Sequence, residues 1–131
     1  MRTIKFRGKD NHKGDWVFGS YAQCEDGDTL IVKYYSDSVK ATYHVNPSTV
    51  GQFIGLRDKN GKEIYEGDIV QTKSYGYMAI EYQCGAWILR DKDCFWLSLE
   101  EYDDNAALTE NLNSVEVVGN IHDTPELLKY N

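Results

Sequence analysis

The chain has 131 residues, 41% of them apolar and 13% aromatic, with 14 Lys and Arg against 21 Asp and Glu for a formal net charge of −7. This length fits one ordinary domain, or two small sub-regions sharing a core, and the apolar share can build that core without disulfides or a metal. The acidic balance argues against general nucleic-acid binding, no run approaches the ~20 apolar residues of a bilayer span, and three Cys without Cys-x-x-Cys spacing read as free thiols in a reducing cytoplasm.

The dominant hydrophobic period is two, which predicts strands. Ile4 and Phe6 alternate with Lys5 and Arg7, and no signal-peptide apolar stretch precedes them. Trp16, Phe18 and Ser20 alternate with Val17, Gly19 and Tyr21. Strands are predicted over residues 30–35, 41–45 and 50–56. Turn residues separate them at 11–15, 25–28 and 46–48.

Arg57-Asp58-Lys59-Asn60-Gly61-Lys62 is the strongest local turn signal. Asn-Gly accepts positive φ at both central positions, as a type I′ hairpin requires. Gly67 lies in a second tight turn, Glu66-Gly67-Asp68, and the strand 69–72 follows.

Residues 77–82 and 86–89 flank a short hairpin at Gln83-Cys84-Gly85, and residues 95–97 form a further strand. Ser98 and Glu101 make a capping box, which predicts a helical turn over residues 99–102. Residues 103–113 read as an acidic loop. The last strand is 115–121. Thr124-Pro125 then places a cap residue before a first-position Pro, predicting a short helix over 124–130.

About five short strands follow Glu63 within sixty residues. That is the size and order of a small SH3-like barrel. The fold class expected is mainly β: an N-terminal β-meander over 1–62, packed on an SH3-like barrel over 63–125, with one or two short helices. The Asn60-Gly61 hairpin would be the joint.

Four blocks resemble the phage-encoded YopX family: residues 1–9 (MRTIKFRGK), residues 14–21 (GDWVFGSY), residues 45–70 (VNPSTVGQFIGLRDKNGKEIYEGDIV), and residues 117–128 (VVGNIHDTPELL). They span nearly the whole chain in order; residues 73–114 match only loosely. The resemblance implies one YopX-like domain over 1–131, a phage or prophage origin, an SH3-type barrel and residence in the bacterial host cytoplasm. It implies no activity, cofactor or catalytic residue.

Three side-chain groups carry possible chemistry. Asp58, Glu63, Glu66 and Asp68 cluster near two turns. They could hold Mg²⁺ for hydrolysis, yet Asp beside Asn-Gly and Gly is ordinary turn chemistry, its side chain bonding nearby N–H groups. Asp58, Asn60, Gly61, Gly67 and Asp68 are therefore assigned as structural turn residues. His12, Cys24, His44, Cys84, Cys94 and His122 match no zinc spacing, and no metal or cofactor is expected.

The third group is a basic strand with aromatic neighbours. Lys5, Arg7 and Lys9 share one face, with Arg2 before them and Trp16 and Phe18 on the next strand. It is read as a binding surface or as a solvated face. Seventeen aromatics exceed what a core of this size hides, so some should be exposed. The sequence thus points to a non-catalytic accessory protein acting by contact with a protein partner or with copies of itself. The alternative is a weak nucleic-acid-binding module using the basic strand; a metal-assisted hydrolase is the third reading.

Overall fold

The computed structural model of the chain describes residues 3–102, 112 and 114–129. The chain divides into two compact units, residues 1–53 and 54–131. The Asn60-Gly61 hairpin falls inside the second. The loop expected over 103–113 lies outside the described residues apart from Leu112.

In the first unit, β1 (Phe6–Lys9), β2 (Trp16–Gln23), β3 (Thr29–Tyr34), β4 (Lys40–His44) and the start of β5 (Gly51–Arg57) form antiparallel neighbours in the order β4-β3-β2-β1-β5. Ile31, Val45 and Phe53 are the buried apolar residues. Asn46 caps the 3₁₀ turn Pro47–Thr49, its side chain accepting from the Ser48 N–H. β2 pairs with β1 through Trp16 to Gly19 and with β3 through Ser20 to Gln23. Gly19 stands at the changeover, where a Cβ would lie 2.2 Å from the Val32 carbonyl oxygen.

In the second unit, residues 54–57 of β5 pair with β6 (Glu63–Tyr65). The main sheet contains β7 (Asp68–Thr72), β8 (Gly76–Gln83), β9 (Ala86–Arg90), β10 (Trp96–Ser98) and β11 (Val115–Asn120), in the order β10-β9-β8-β7-β11. Helix α1 (Leu99–Tyr102) follows β10 where the Ser98 cap predicted it, and the C-terminal segment Pro125–Lys129 is a 3₁₀ turn. Ile54 and Ile64 bury against Val70, Met78, Ile80 and Leu89, with Leu97, Leu99, Leu112 and Val115 completing the core. The mainly β class expected from the period-two pattern is what forms. Among the described residues β10 and β11 are the outer strands of this sheet, and its pairings do not by themselves close it into the SH3-like barrel expected over 63–125.

The turn chemistry differs from the expectation at one point. Asn60 does not adopt positive φ; only Gly61 does, at 81°. The Gly61 N–H donates to the Asp58 carbonyl and the Asp58 N–H to the Lys62 carbonyl. This is a type I turn followed by a left-handed glycine, the three-residue hairpin loop, and not type I′. The cause is Asp58, whose Oδ1 accepts from the N–H groups of Asn60 and Lys62 at 2.9 Å each and so favours the type I geometry. The two-residue turn with both φ positive occurs instead at Cys84 (51°) and Gly85 (82°), between the paired Gln83 and Ala86.

Candidate functional site

The two turn aspartates are consumed by the backbone. Asp58 is 2% exposed, and its Oδ2 accepts from the Val117 N–H at 2.9 Å, beyond the two bonds made by Oδ1. Asp68 is equally buried and accepts from the Tyr65 N–H at 2.7 Å. Glu63 lies 3.8 Å from Arg57 and accepts from the Tyr65 hydroxyl. Gly67 has φ of 91° and donates to the Ile80 carbonyl. Among the described residues no group of three or more His, Cys, Asp or Glu could hold a metal ion. Cys24, Cys84 and Cys94 are free and exposed.

The basic strand has a specific geometry. Antiparallel register sets Arg7 opposite Phe18 and Lys9 opposite Trp16, the distance at which cross-strand side chains interact. The Arg7 guanidinium lies 4.5 Å from the Trp16 ring centre, and Lys9 Nζ lies 5.7 Å from it. Lys5 Nζ lies 5.6 Å from the Phe53 ring centre. These are cation–π distances. Arg7 is only 7% exposed, so the picture of three solvated cations in a row fails at its middle member. Arg2 lies outside the described residues.

Beside this stack is a pocket of about 280 Å³. Its lining residues are the aromatics Trp16, Phe18 and Tyr43 with Val17, the cations Lys13 and Lys33, and the acids Asp10 and Asp15. Asp10 is nearly buried, and its Oδ1 accepts from the His12 N–H of its own turn. Tyr43 is hydrogen-bonded to the Tyr35 phenol, which pushes its ionisation above the ordinary tyrosine value of 10.0; the charge of Tyr35, partial burial and the Asp10 charge act in the same direction. Lys33 Nζ sits 5.5 Å from the Tyr35 ring centre. Lys13 belongs with the basic residues that the sequence offers beside Trp16 and Phe18, whereas Lys33 and Tyr43 were not singled out; they come from β3 and β4.

Exposed rings are not confined to that pocket. Phe18, Tyr21, Tyr34 and Tyr35 are exposed in the first unit, and Tyr75, Tyr82, Phe95 and Trp96 in the second. Tyr75 contacts Phe95 at 5.5 Å and Tyr102 at 6.2 Å between ring centres. The expectation that some aromatics remain outside the core holds. A second, polar pocket of about 360 Å³ includes Lys59, Lys73 and Glu116, but Lys59 is already within 3.7 Å of the Glu116 carboxylate. No described helix is long and apolar enough to cross a membrane.

The sequence model of a family described as YopX protein matches residues 5–129. No curated protein matches the chain. Among solved structures, the chain is similar to protein EF1440 from Enterococcus faecalis, with 25% identity, a TM-score of 0.56, and coverage of 98% of this chain and 99% of that one. It is also similar in fold to protein yopX from Bacillus subtilis, with 16% identity, a TM-score of 0.58, and coverage of 98% and 97%.

Proposed function

This chain belongs to the YopX family, and on that footing we propose that it is a non-catalytic phage or prophage accessory protein, working in the host cytoplasm as a protein–protein interaction module. The observation that carries the reading is the pocket formed by Trp16, Phe18 and Tyr43 beside the Arg7–Trp16 stack. Trp, Tyr and Arg are the residues that most often anchor protein interfaces. Here Trp16 and Tyr43 line a concavity, and the Arg7 guanidinium lies over the Trp16 ring. Seven further exposed rings among the described residues give more area for contact.

The second reading, weak nucleic-acid binding by the basic strand, draws on Lys5, Lys9 and Lys13. It is disfavoured by Arg7, which is turned onto Trp16 and nearly buried, and by the net charge of −7. Phosphate-driven affinity needs several outward cations along a track.

Selection of a random displayed 12-residue peptide library on the native protein tests the interaction reading. Enrichment of peptides that lose binding on Tyr43→Ala supports it. A selection that returns no peptide above the background of an unrelated protein removes it.

A further inference from the structure

We propose that the Trp16–Phe18–Tyr43 pocket receives an aromatic side chain flanked by carboxylates, presented by an acidic segment of a partner protein. The inference rests on the interaction reading above and assigns the partner's chemistry.

Size comes first. At about 280 Å³ the pocket lies at the lower bound of small-molecule sites, which run from about 300 to 1,000 Å³. It holds one ring-bearing side chain. Three of its lining residues are aromatic, and rings pair well with rings in offset or edge-on contacts. The protein makes such contacts itself, as between Phe6 and Tyr21 at 5.5 Å.

Charge then selects the flanking residues. Residues 1–53 carry seven Lys and Arg and six Asp and Glu, a net +1; residues 54–131 carry seven and fifteen, a net −8. The acidity of the chain therefore does not belong to the unit that holds the pocket. Three acids of the first unit, Glu25, Asp26 and Asp28, belong to the turn after β2, at the other end of that strand from Trp16. At the pocket, Lys13 and Lys33 face Asp10 and Asp15. Asp10 is nearly buried and directed into its own turn, leaving Asp15 as the exposed acid against two exposed lysines. Lys9, against Trp16, adds a further cation at the same edge.

The number of cations also separates a peptide from a nucleic acid. Two or three lysines within a ring's width suit one or two carboxylates. A single strand needs a longer groove of cations following its backbone, and the remaining cations of β1 are taken up by Trp16 and Phe53. Asp15 at the rim repels a continuous line of phosphates, yet it can accept a peptide N–H.

The test is amide-shift mapping by two-dimensional NMR on the full chain, with three probes: acetyl-Gly-Asp-Tyr-Glu-Gly-amide, its Lys-Tyr-Lys counterpart, and a (dT)₆ oligonucleotide. The expected result is a shift of the Trp16 indole N–H and the Lys33 and Tyr43 amides by the acidic peptide. It should bind about tenfold more tightly than the basic one, and about tenfold more weakly to the charge-reversed protein Lys13→Glu/Lys33→Glu. Both lysines are exposed, so an unchanged spectrum shows that this variant keeps its fold. Equal or tighter binding of the basic peptide overturns the acidic assignment and leaves the interaction module standing. Tighter binding of (dT)₆ at these residues overturns both in favour of nucleic acid. No shift with either peptide overturns the inference, and the library selection then decides the module by itself.

Discussion

Cys94 occupies, in the turn between β9 and β10, the position that Gly61 occupies in the turn between β5 and β6. In each, an Asp opens the loop, its N–H donates to the carbonyl four residues on, and its own carbonyl accepts from the residue three on. Its Oδ1 accepts from the N–H groups two and four residues later. The left-handed position has φ of 81° at Gly61 and 67° at Cys94. The Cys24–Asp28 turn has the same backbone bonds, with Gly27 at φ of 94°. A side chain in that conformation costs about 1–2 kcal/mol, partly offset by the extra freedom glycine gives the unfolded chain. Cys94→Gly should therefore be more stable than Cys94→Ala by about 0.5–1 kcal/mol. The alanine variant also loses the thiol contact with Arg90, so this comparison isolates the backbone term. Urea melts of both variants check it, and equal midpoints would refute the strain. Conversely, Gly61→Val should cost about 1–3 kcal/mol.

The repeated turn also shows where sequence reading succeeds. Period-two alternation located the strands, because a strand with one face buried must alternate. Pro125 and the Ser98 cap located short helical turns through local backbone bonding. The type of the Asn60-Gly61 turn was misread because Asp58, two residues upstream, outweighs the Asn-Gly preference by accepting two backbone N–H groups. The pocket was half legible. Trp16 and Phe18 follow from alternation in β2, but Lys33 and Tyr43 lie on β3 and β4, whose pairing depends on a register no local pattern specifies. Burial of Arg7 against Trp16 is likewise a consequence of the β1–β2 register.

Asp58 and Asp91 share a role in their turns but differ in burial, and substitution should separate them. Asp58 accepts three backbone N–H groups at 2% exposure. Its removal takes the acceptor from all three, including the β11 amide of the half-buried Val117. Asp91 accepts two, at the surface. Asp58→Ala should cost about 3–5 kcal/mol and Asp91→Ala about 1 kcal/mol, since hydrogen bonds to a charged acceptor count for about 1.5–3 kcal/mol each when partly buried, while exposed donors turn to water. Chemical denaturation of the two variants checks the ratio, and similar losses would show that the burial of Asp58 adds nothing to its bonds.

Gly19 is required for room. An added Cβ would sit 2.2 Å from the Val32 carbonyl oxygen and 3.3 Å from the Lys33 Cα, and backbone atoms held in a sheet cannot yield as a side-chain tip can. Gly19→Ala should destabilise the chain by about 2–3 kcal/mol and loosen the β2–β3 pairing. Hydrogen exchange reads this locally. Protection should fall at the amides of Ser20 to Gln23 and Thr29 to Val32, while β7 and β8 keep theirs. Uniform loss, or no loss, would contradict a local close approach.

Glu81 and Arg90 form the pair that gives stability a pH dependence. They are neighbours across β8 and β9, and the Arg90 guanidinium donates to Glu81 Oε1. Both side chains are partly buried. The hydrogen bond from Arg90 holds the Glu81 carboxyl below its ordinary value of 4.5, against a smaller opposing effect of burial, and Glu81 in turn raises Arg90. A carboxylate whose folded-state value is depressed contributes stability that is fully present above the unfolded value. That contribution is lost as pH falls through the folded one. The unfolded chain then binds the proton more readily than the native state, so acid favours unfolding. Glu81→Gln should cost about 1 kcal/mol at neutral pH, a partly exposed pair being discounted for solvent screening. The deficit should stay constant down to about pH 5, begin to close near 4.5, and vanish once Glu81 is protonated in the native protein. Arg90 stays charged throughout, so it contributes no slope in this range. Urea midpoints of the two proteins at a series of pH values provide the measurement. A deficit independent of pH would assign the Glu81 contribution to packing of its methylene groups rather than to the charge pair.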